Sequence, residues 1–321
     1  MKRSSIVIVT PALASANNGN WQTARRWQRM LSQAHSARIT DRWPDEQAEQ
    51  DEVILALHAR RSAASIDAWA QRHGSARLVV VLTGTDLYRD IATDAQAQRS
   101  LDLASHLVVL QDEAPHALPA QHRAKARVIF QSTTSRQRLP KTGRHLRAVM
   151  VGHLRDEKDP LTLMAAARLI SRREGILIDH IGSPLDAALE RAARETMAQC
   201  PHYRWLGGLP HAQALSRIQR AHLLVHASRM EGGAHVVMEA VCSGTPVLAS
   251  RMDGNVGMLG RDYSGYFAVG DAQGLAQALR ECRTPGRLEE LMAQCELRAP
   301  LFAPHAEQAA LLDLIGDVLQ D

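Results

Sequence analysis

The sequence predicts an α/β protein with two Rossmann-like domains, each built on a doubly wound parallel sheet. At 321 residues, the chain is long enough for two such domains, and its 45% hydrophobic content is ordinary for a soluble enzyme. Short β-branched runs alternate with amphipathic segments, which is the pattern of βαβ units. The runs are SIVIVT, DEVILALHA, RLVVVLTG, HLVVLQ and RVIFQS in the first half, then RAVMVGHL, GILIDHIG, RWLGG, HLLVHAS and TPVLAS in the second.

A polar segment separates the two series of strands. Residues 135–145 contain Pro140 and Gly143 and have no apolar period, so we place the linker there. This predicts an N-terminal domain over residues 1–143 and a C-terminal domain over residues 144–302. Residues 303–321 have apolar positions at helical spacing and should form a terminal helix. Periodicity leaves open whether that helix packs back on the first domain.

Composition narrows the class of ligand. The net charge is +4, but only 4% of residues are aromatic and no long Lys/Arg run is present, which favours an anionic small molecule over nucleic acid. The apolar run from Ile6 to Val9 is too short for a signal peptide or a membrane span, so we expect a cytoplasmic protein. Four cysteines without CxxC spacing are interpreted as reduced core thiols: Cys200, Cys242, Cys282 and Cys295.

Two glutamates mark the most informative stretch, EGGAHVVME. Glu231 and Glu239 are separated by seven residues, and glycines directly follow the first of them. Glycine lets the backbone approach a ligand closely, and the start of the following helix offers N–H groups to an anion. Carboxylates on both sides of phosphate-binding amides suit a molecule with hydroxyls at both ends and phosphates between them, such as a nucleotide sugar.

A second cationic group precedes the next predicted helix. The segment VGHLRDEKDP places His153, Arg155 and Lys158 between a strand and a helix whose first turn holds Pro160. A lysine at such a turn can neutralise a leaving phosphate. A solvated surface lysine is the alternative.

Three strand ends in the first half carry further candidates. A bend at Asn18, Gly19 and Asn20 follows the first strand, and an ordinary turn is the alternative there. The remaining candidates lie at the carboxyl ends of later strands, where doubly wound sheets bind ligands: His58, Arg60 and Arg61, then Thr85, Asp86 and Arg89. A plain charged surface is the alternative for the arginine pair, and helix capping is the alternative for Asp86.

The second half resembles the retaining GT-B-fold glycosyltransferases that use nucleotide sugars and carry two glutamates seven residues apart. The resemblance spans VGHLRDEK, HIGSP, WLGGLP, HASRMEGGAHVVMEAVCSGTPVLAS and GDAQGLAQAL. It implies two Rossmann-like domains facing a crevice. It also implies that Glu231 contacts the donor sugar, that the backbone of Gly233 and Ala234 holds the diphosphate, and that Glu239 binds the ribose hydroxyls.

The expected donor-binding set is Gly19, Asn20, Arg155, Gly182, Leu206, Gly232, Gly233, Ala234, His235 and Glu239. The expected catalytic set is Lys158, Glu231, His153 and His58. This sequence departs from the family at His153, which stands where members usually have an arginine on the diphosphate. The protonation of His153 is therefore open at this stage.

The N-terminal half is similar to selenosugar synthases of selenoneine biosynthesis, through TPALASANNGNWQTARRW, ALHARRSAASI and VLTGTDLYRD. The resemblance implies UDP-N-acetylglucosamine as donor and selenophosphate as acceptor, with other enzymes of that pathway as partners. Candidate acceptor-binding residues are Arg25, Arg60, Arg61, Thr85, Asp86 and Arg89. No DxD motif or His/Cys cluster is evident, so we expect no metal or other cofactor. A conventional transferase acting on a hydroxyl acceptor and an inactive nucleotide-sugar-binding protein are the alternatives.

Overall fold

Two parallel six-stranded sheets organise the protein, whose computed structural model describes residues 3–13 and 19–320. The chain divides into unit 1, residues 1–132 with 304–321, and unit 2, residues 133–303. The division falls after Ser132, whereas the sequence placed it after Gly143, because residues 133–142 pack with unit 2. The backbone N–H of Thr133 already donates to the carbonyl of Phe302 at 3.1 Å, and that of Arg136 to Cys242 at 2.8 Å.

The sheet of unit 1 has the order β2-β1-β3-β4-β5-β6. Its strands are β1 (Ser5–Val9), β2 (Ser36–Thr40), β3 (Val53–Leu57), β4 (Leu78–Val81), β5 (His106–Val109) and β6 (Ala126–Val128). Its helices are α1 (Gly19–Leu31), α2 (Ala63–His73), α3 (Ile91–Thr93), α4 (Ala95–Leu103), α5 (Ala114–Ala117) and α13 (Pro304–Gln320), with a π-helix at Asp86–Asp90 and 3₁₀ turns at Ala48–Gln50 and Ala120–Lys125. The strand order reverses between β1 and β3, which is where such sheets bind ligands.

The sheet of unit 2 has the order β12-β11-β10-β7-β8-β9. Its strands are β7 (Leu146–Val151), β8 (Ile176–Ile181), β9 (Tyr203–Trp205), β10 (Leu223–His226), β11 (Val247–Ser250) and β12 (Tyr266–Phe267). Its helices are α6 (Pro160–Leu169), α7 (Ala187–Gln199), α8 (His211–Arg220), α9 (His235–Val241), α10 (Asp253–Leu259), α11 (Ala272–Glu281) and α12 (Arg287–Arg298), with 3₁₀ turns at Asp156–Lys158, Arg172–Glu174 and Ala299–Phe302. Here the order reverses between β7 and β10. This confirms the predicted α/β class with two doubly wound parallel sheets.

Burial on both faces explains the uniformly apolar strands. Every residue of β3 and β4 is buried, as expected when helices cover both sides of a parallel sheet. The last helix, α13, completes one of these faces, because Leu311, Leu314, Ile315 and Val318 join a cluster with Trp27 and Leu31 of α1. The terminal helix therefore belongs to unit 1.

A buried carboxylate fixes α13 in place. Glu307 is 1% exposed and accepts hydrogen bonds from Arg26 Nε at 2.7 Å and from Trp27 Nε1 at 2.7 Å. The backbone N–H of Ser132 also donates to Glu307, at 2.9 Å. Such a buried charge is tolerated because donors surround it.

The four cysteines are buried free thiols. None of the helices within residues 3–13 and 19–320 is long and apolar enough to cross a membrane.

Candidate active site

An ion pair occupies the switch point of unit 2, where β7 and β10 are neighbours. The ammonium of Lys158, on the loop after β7, pairs with the carboxylate of Glu231, on the loop after β10. The hydroxyl of Ser228 also donates to Glu231, at 3.0 Å. Burial favours the protonated form of Glu231, but Lys158, His226 and Ser228 outweigh burial and lower the pKa of this carboxyl. Glu231 is therefore a carboxylate at neutral pH.

The two loops are also braced to each other. The guanidinium of Arg229 lies 3.2 Å from the Asp159 carboxylate, and its backbone N–H donates to the carbonyl of Glu157 at 2.9 Å. Asp159 is 2% exposed and has a φ of 45°, in the left-handed region that few non-glycine residues adopt. The hydroxyl of Thr162 donates to the same carboxylate at 2.7 Å. This brace holds Lys158 and Glu231 on a fixed frame.

A neutral histidine lies beneath the ion pair. His226, the last residue of β10, is 2% exposed, and burial lowers its pKa to about 4. The side-chain amide of Asn255 donates to the carbonyl of Ser250 at 2.9 Å, which directs its oxygen at His226 Nδ1, 2.8 Å away. The ring proton is therefore on Nδ1, and Nε2 faces the hydroxyl of Ser228 at 3.3 Å.

The tautomer of His153 is fixed by the neighbouring loop. The backbone N–H of Ser183 donates to His153 Nδ1 at 3.1 Å, so the proton of the neutral ring is on Nε2. Burial, then Arg155 and Lys158, lower the pKa of His153. This geometry depends on Gly182, where a Cβ would collide with the backbone of Gly152. His153 thus offers an N–H donor at the place where the sequence left its charge open.

Three further donor-site candidates follow the ends of neighbouring strands: Arg155 after β7, Gly182 after β8 and Leu206 after β9. Arg155 is 44% exposed and lies 3.9 Å from the Glu157 carboxylate, which leaves its guanidinium loosely held. The backbone N–H of Leu206 donates to the carbonyl of His180 at 2.8 Å, and that of Gly182 to Gly207 at 2.8 Å. Gly182 and Leu206 therefore lie on adjacent strand ends at the carboxyl edge of the sheet.

The second glutamate lies on α9. Glu239 is 6% exposed, and His211 Nε2, at the start of α8, lies 2.6 Å from its Oε1. This hydrogen bond raises the pKa of His211. The loop of Gly232 and Gly233 precedes α9, whose first helical residue is His235. The N-cap residue, Ala234, supplies no side-chain hydrogen bond to the helix. Ala234 thus contributes only its backbone at the start of α9.

In unit 1, His58 and Asp86 form a hydrogen-bonded group at the ends of β3 and β4. His58 is 2% exposed and has a φ of 74°. Its Nδ1 accepts a hydrogen bond from the backbone N–H of Arg61 at 3.3 Å. The proton of the neutral ring is therefore on Nε2, which donates to Thr85 Oγ1 at 3.2 Å. Asp86 is fully buried and accepts from the backbone N–H groups of Ala59, Thr83 and Gly84 at 2.9 to 3.0 Å. Both residues hold their loops in place through these hydrogen bonds, and the catalytic role of His58 and the acceptor-binding role of Asp86 stay predictions.

The four candidate arginines of unit 1 fall into two groups. Arg60 and Arg89 donate to opposite oxygens of Asp90, at 2.9 and 3.2 Å. Asp90 is 5% exposed and ends the π-helix, a rare element that often occurs at functional sites. Arg25 and Arg61 are exposed. Asp90 thus holds two of the four candidate guanidinium groups at one carboxylate.

The expected bend after β1 is different in the structure. Gly19 and Asn20 belong to the first turn of α1, and the carbonyl of Gly19 accepts from the Thr23 hydroxyl at 2.9 Å. A Cβ at Gly19 would have nothing within 4 Å, so no close packing requires glycine there. Asn18 lies outside the described residues.

Sequence reasoning missed four residues of these clusters: His226, Ser228, His211 and Asp90. Each is a polar residue within or directly beside a run already singled out. The sequence carried a signal for Ser228, which lies three positions before Glu231, but none for His211, which reaches Glu239 from another helix. In the described part of the chain, no group of three or more His, Cys, Asp or Glu side chains could hold a metal ion.

Solved structures share this architecture. The chain is similar to a sucrose-phosphate synthase from Thermosynechococcus elongatus, with a TM-score of 0.78 and 16% identity over 99% of this chain and 100% of that chain. It is also similar to Anabaena Alr3699/HepE in complex with UDP-glucose, with a TM-score of 0.75 and 14% identity over 98% and 99% of the two chains. The pneumococcal O-GlcNAc transferase GtfA, in complex with UDP and GlcNAc, gives a TM-score of 0.67 and 19% identity over 84% of this chain and 57% of that chain.

At these identities the likeness establishes the fold, which is that of the GT-B glycosyltransferases. The family model described as glycosyl transferases group 1 matches residues 131–295, just over half of the sequence. The matched region contains the Lys158–Glu231 pair, His153 and Glu239. The chain therefore belongs to the group 1 glycosyltransferase family.

Proposed function

We propose that this glycosyltransferase moves a sugar, N-acetylglucosamine, from a UDP-sugar to selenophosphate, which makes it a selenosugar synthase. The observation that carries the donor half is the Lys158–Glu231 pair at the switch point of unit 2, beside the uncapped start of α9. The Anabaena protein bound to UDP-glucose and the pneumococcal protein bound to UDP and GlcNAc share the fold and support this class of donor.

Each donor group has a proposed role. The backbone after Glu231 and the start of α9 bind the diphosphate, while Glu239 accepts from the ribose hydroxyls. Lys158 and the Nε2–H of His153 stabilise the negative charge that grows on the β-phosphate as UDP leaves. Glu231 holds the sugar and keeps Lys158 oriented. Gly182 and Leu206, on adjacent strand ends, contribute to the base and ribose side.

The transfer step requires no protein base. A selenium lone pair of selenophosphate forms the C1–Se bond while the C1–O bond breaks, and UDP departs with that electron pair. Water must later cleave the Se–P bond to give a selenol and inorganic phosphate. A hydroxyl acceptor would instead have to lose a proton. Both ring nitrogens of His58 have partners within unit 1, so this residue is not placed as a free base, which supports the anionic acceptor.

The acceptor is proposed to bind at the carboxyl edge of the sheet of unit 1. Arg25 and Arg61 are exposed, and Arg60 and Arg89 share one carboxylate, Asp90. Guanidinium groups suit a phosphate-bearing anion because they can donate two parallel hydrogen bonds. The proposed reaction needs no metal, since fixed cations and amides assist the leaving group.

The test combines the protein with UDP-N-acetylglucosamine and selenophosphate. Mass spectrometry should show the selenium isotope pattern on a hexosamine product, with release of an equal amount of UDP. Lys158→Met should abolish both signals, and a chelator should leave them unchanged. Transfer only to an alcohol would establish the hydroxyl-acceptor alternative, and absence of UDP release with every acceptor would establish an inactive binding protein.

A further inference from the structure

A cavity of about 400 Å³ lies within unit 2, away from the groups described above. Its lining includes Leu146 at the start of β7, His222 directly before β10, and Pro246 directly before β11. These positions mark the amino ends of the same strands whose carboxyl ends lead to Lys158 and Glu231. The cavity therefore opens at the opposite edge of the sheet.

Three basic side chains line this cavity: Arg138, Lys141 and Arg283. Lys141 donates to the hydroxyl of Thr245 at 3.2 Å and, over a long 3.4 Å, to the carbonyl of Gly244. Among the residues that the structure describes, no carboxylate lies within ion-pair distance of this ammonium. Burial, and then Arg138, lower the pKa of Lys141 to about 8. The cavity thus holds a half-buried ammonium with no described carboxylate beside it, and a bound anion would stabilise its charge.

The other titratable groups of the lining do not supply that counter-ion. His222 accepts from the backbone N–H of Arg147 at 2.9 Å and donates to the carbonyl of Thr142 at 2.8 Å, so its ring is neutral. Burial lowers the pKa of His145 and raises that of Cys282 to about 12, which keeps both uncharged at neutral pH. The acid of the lining is Glu289, which is exposed.

Apolar side chains form another part of the lining. Leu288 and Met292 of α12 face the cavity together with Pro246 and Pro285. The volume is within the range of pockets that hold small molecules, about 300 to 1,000 Å³. Three cations and several apolar side chains on one lining suit a ligand with a phosphate at one end and a carbon skeleton at the other. Arg138 and Arg283 are exposed, and Arg138 also lies 3.9 Å from the exposed Glu296 carboxylate.

We propose that this cavity binds a small organic phosphate, held at its phosphate by Lys141, Arg138 and Arg283 and at its carbon skeleton by Leu288 and Met292. The occupant is distinct from the donor and the acceptor, since it lies at the other edge of the sheet from the donor site. The proposal does not depend on which sugar or acceptor the enzyme uses.

The chain has four lysines, which permits a direct test. Reductive methylation with ¹³C-formaldehyde labels any free amino terminus together with Lys2, Lys125, Lys141 and Lys158, and Lys141→Arg identifies the Lys141 signal. We expect that signal to titrate near pH 8. Added glycerol 3-phosphate should raise its pKa, because a bound dianion stabilises the ammonium. The Lys158 signal reports separately on phosphate that binds at the donor site.

Calorimetry on the unmodified protein gives the second readout. Arg138, with a side chain that is 58% exposed, can be replaced without loss of the fold, and Arg138→Gln should weaken glycerol 3-phosphate binding about tenfold or more. The matched control, Arg191→Gln on the exposed face of α7, should bind as the unaltered protein does. Three outcomes would each overturn the proposal. The Lys141 signal could stay unchanged at millimolar glycerol 3-phosphate, or it could respond equally to chloride at the same ionic strength. The Arg138→Gln and Arg191→Gln variants could also bind glycerol 3-phosphate with equal affinity.

Discussion

The backbone N–H of Ser183 donates to Nδ1 of His153 across 3.1 Å and thereby determines which ring nitrogen carries the proton. A group that can only accept at Nδ1 can only donate at Nε2 while it is neutral. The position that usually holds an arginine in the family that this sequence resembles therefore carries an uncharged donor. Lys158 is then the principal fixed positive charge of the proposed donor site.

Substitution of His153 tests this assignment. His153→Gln keeps an N–H donor of similar reach, whereas His153→Leu removes it, so we expect kcat to fall roughly ten- to hundredfold in the leucine variant and less in the glutamine variant. Long-range ¹H–¹⁵N spectra should show the Nε2–H tautomer at neutral pH. Activity that requires the imidazolium, and so decreases as pH rises through a pKa below 6.5, would contradict the neutral donor.

Variants of Glu239 and Arg60 test the proposal that unit 2 binds the donor and unit 1 binds the acceptor. Glu239→Ala should weaken UDP binding, measured by calorimetry, by about tenfold or more because hydrogen bonds to a carboxylate are lost. Arg60→Ala should leave UDP affinity unchanged and raise the KM for the acceptor. Equal loss of UDP affinity in the two variants would refute the assignment of donor and acceptor to different units.

His211 should make UDP binding sensitive to pH. Glu239 raises the pKa of His211, so the two form a charged pair below that pKa and a weaker neutral contact above it. Ribose hydroxyls must compete with the charged pair, and we therefore expect UDP affinity to fall as pH falls through the pKa of His211. In the His211→Ala variant no imidazolium competes with the ribose for Glu239, so this loss of UDP affinity at low pH should be absent. The same dependence in both proteins would exclude competition by His211.

Removal of Lys158 should destabilise unit 2 as well as stop turnover. Glu231 is 13% exposed, and burial would raise its pKa once Lys158 is absent. We expect Lys158→Met to cost about 3 to 5 kcal/mol in chemical unfolding, and addition of Glu231→Gln to recover part of the loss. Arg72→Met breaks an exposed ion pair with Glu49 and should leave the free energy of unfolding almost unchanged. No recovery in the double variant would show that Lys158 stabilises the fold through other contacts.

His180 and His226 should make the protein less stable in acid. Both are buried and have pKa values lowered to about 4, so between that value and about 6.5 the unfolded chain binds protons that the folded chain does not. The free energy of unfolding therefore falls as pH decreases below about 6.5. From pH 7 to pH 5 we expect His180→Gln to lose about 2 kcal/mol less than the unaltered protein. Identical pH profiles would show that His180 has the same pKa in the folded and the unfolded chain.

The sequence predicts the sheets well because their strands are buried on both faces. Ten strands were recognised from their apolar runs, and two were missed. β2, SARIT, is an edge strand with no fully buried residue, and β12 has only two residues, Tyr266 and Phe267. Neither contains a run long enough to distinguish a strand from a loop.

The sequence predicted only part of the candidate site, for a physical reason. Lys158 and Glu231 could be linked because each follows a strand, and parallel strands bring their carboxyl ends to one edge. Sequence spacing could not show that Asp86 is satisfied by three backbone amides, or that His211 reaches Glu239 from α8. Those outcomes depend on loop conformation and helix packing, which leave no periodic signal.

The position of α13 has a consequence for synthesis on the ribosome. Unit 2 is encoded by a continuous segment, residues 133–303, and can complete its sheet as soon as that segment emerges. Unit 1 must wait for residues 304–320, because Glu307 is the acceptor for Arg26, Trp27 and Ser132, and Leu311 fills the core beside Trp27. The half of the chain that is translated first is thus the half that finishes folding last. Until α13 arrives, Trp27 and Leu31 of α1 lack the apolar partners that this helix supplies.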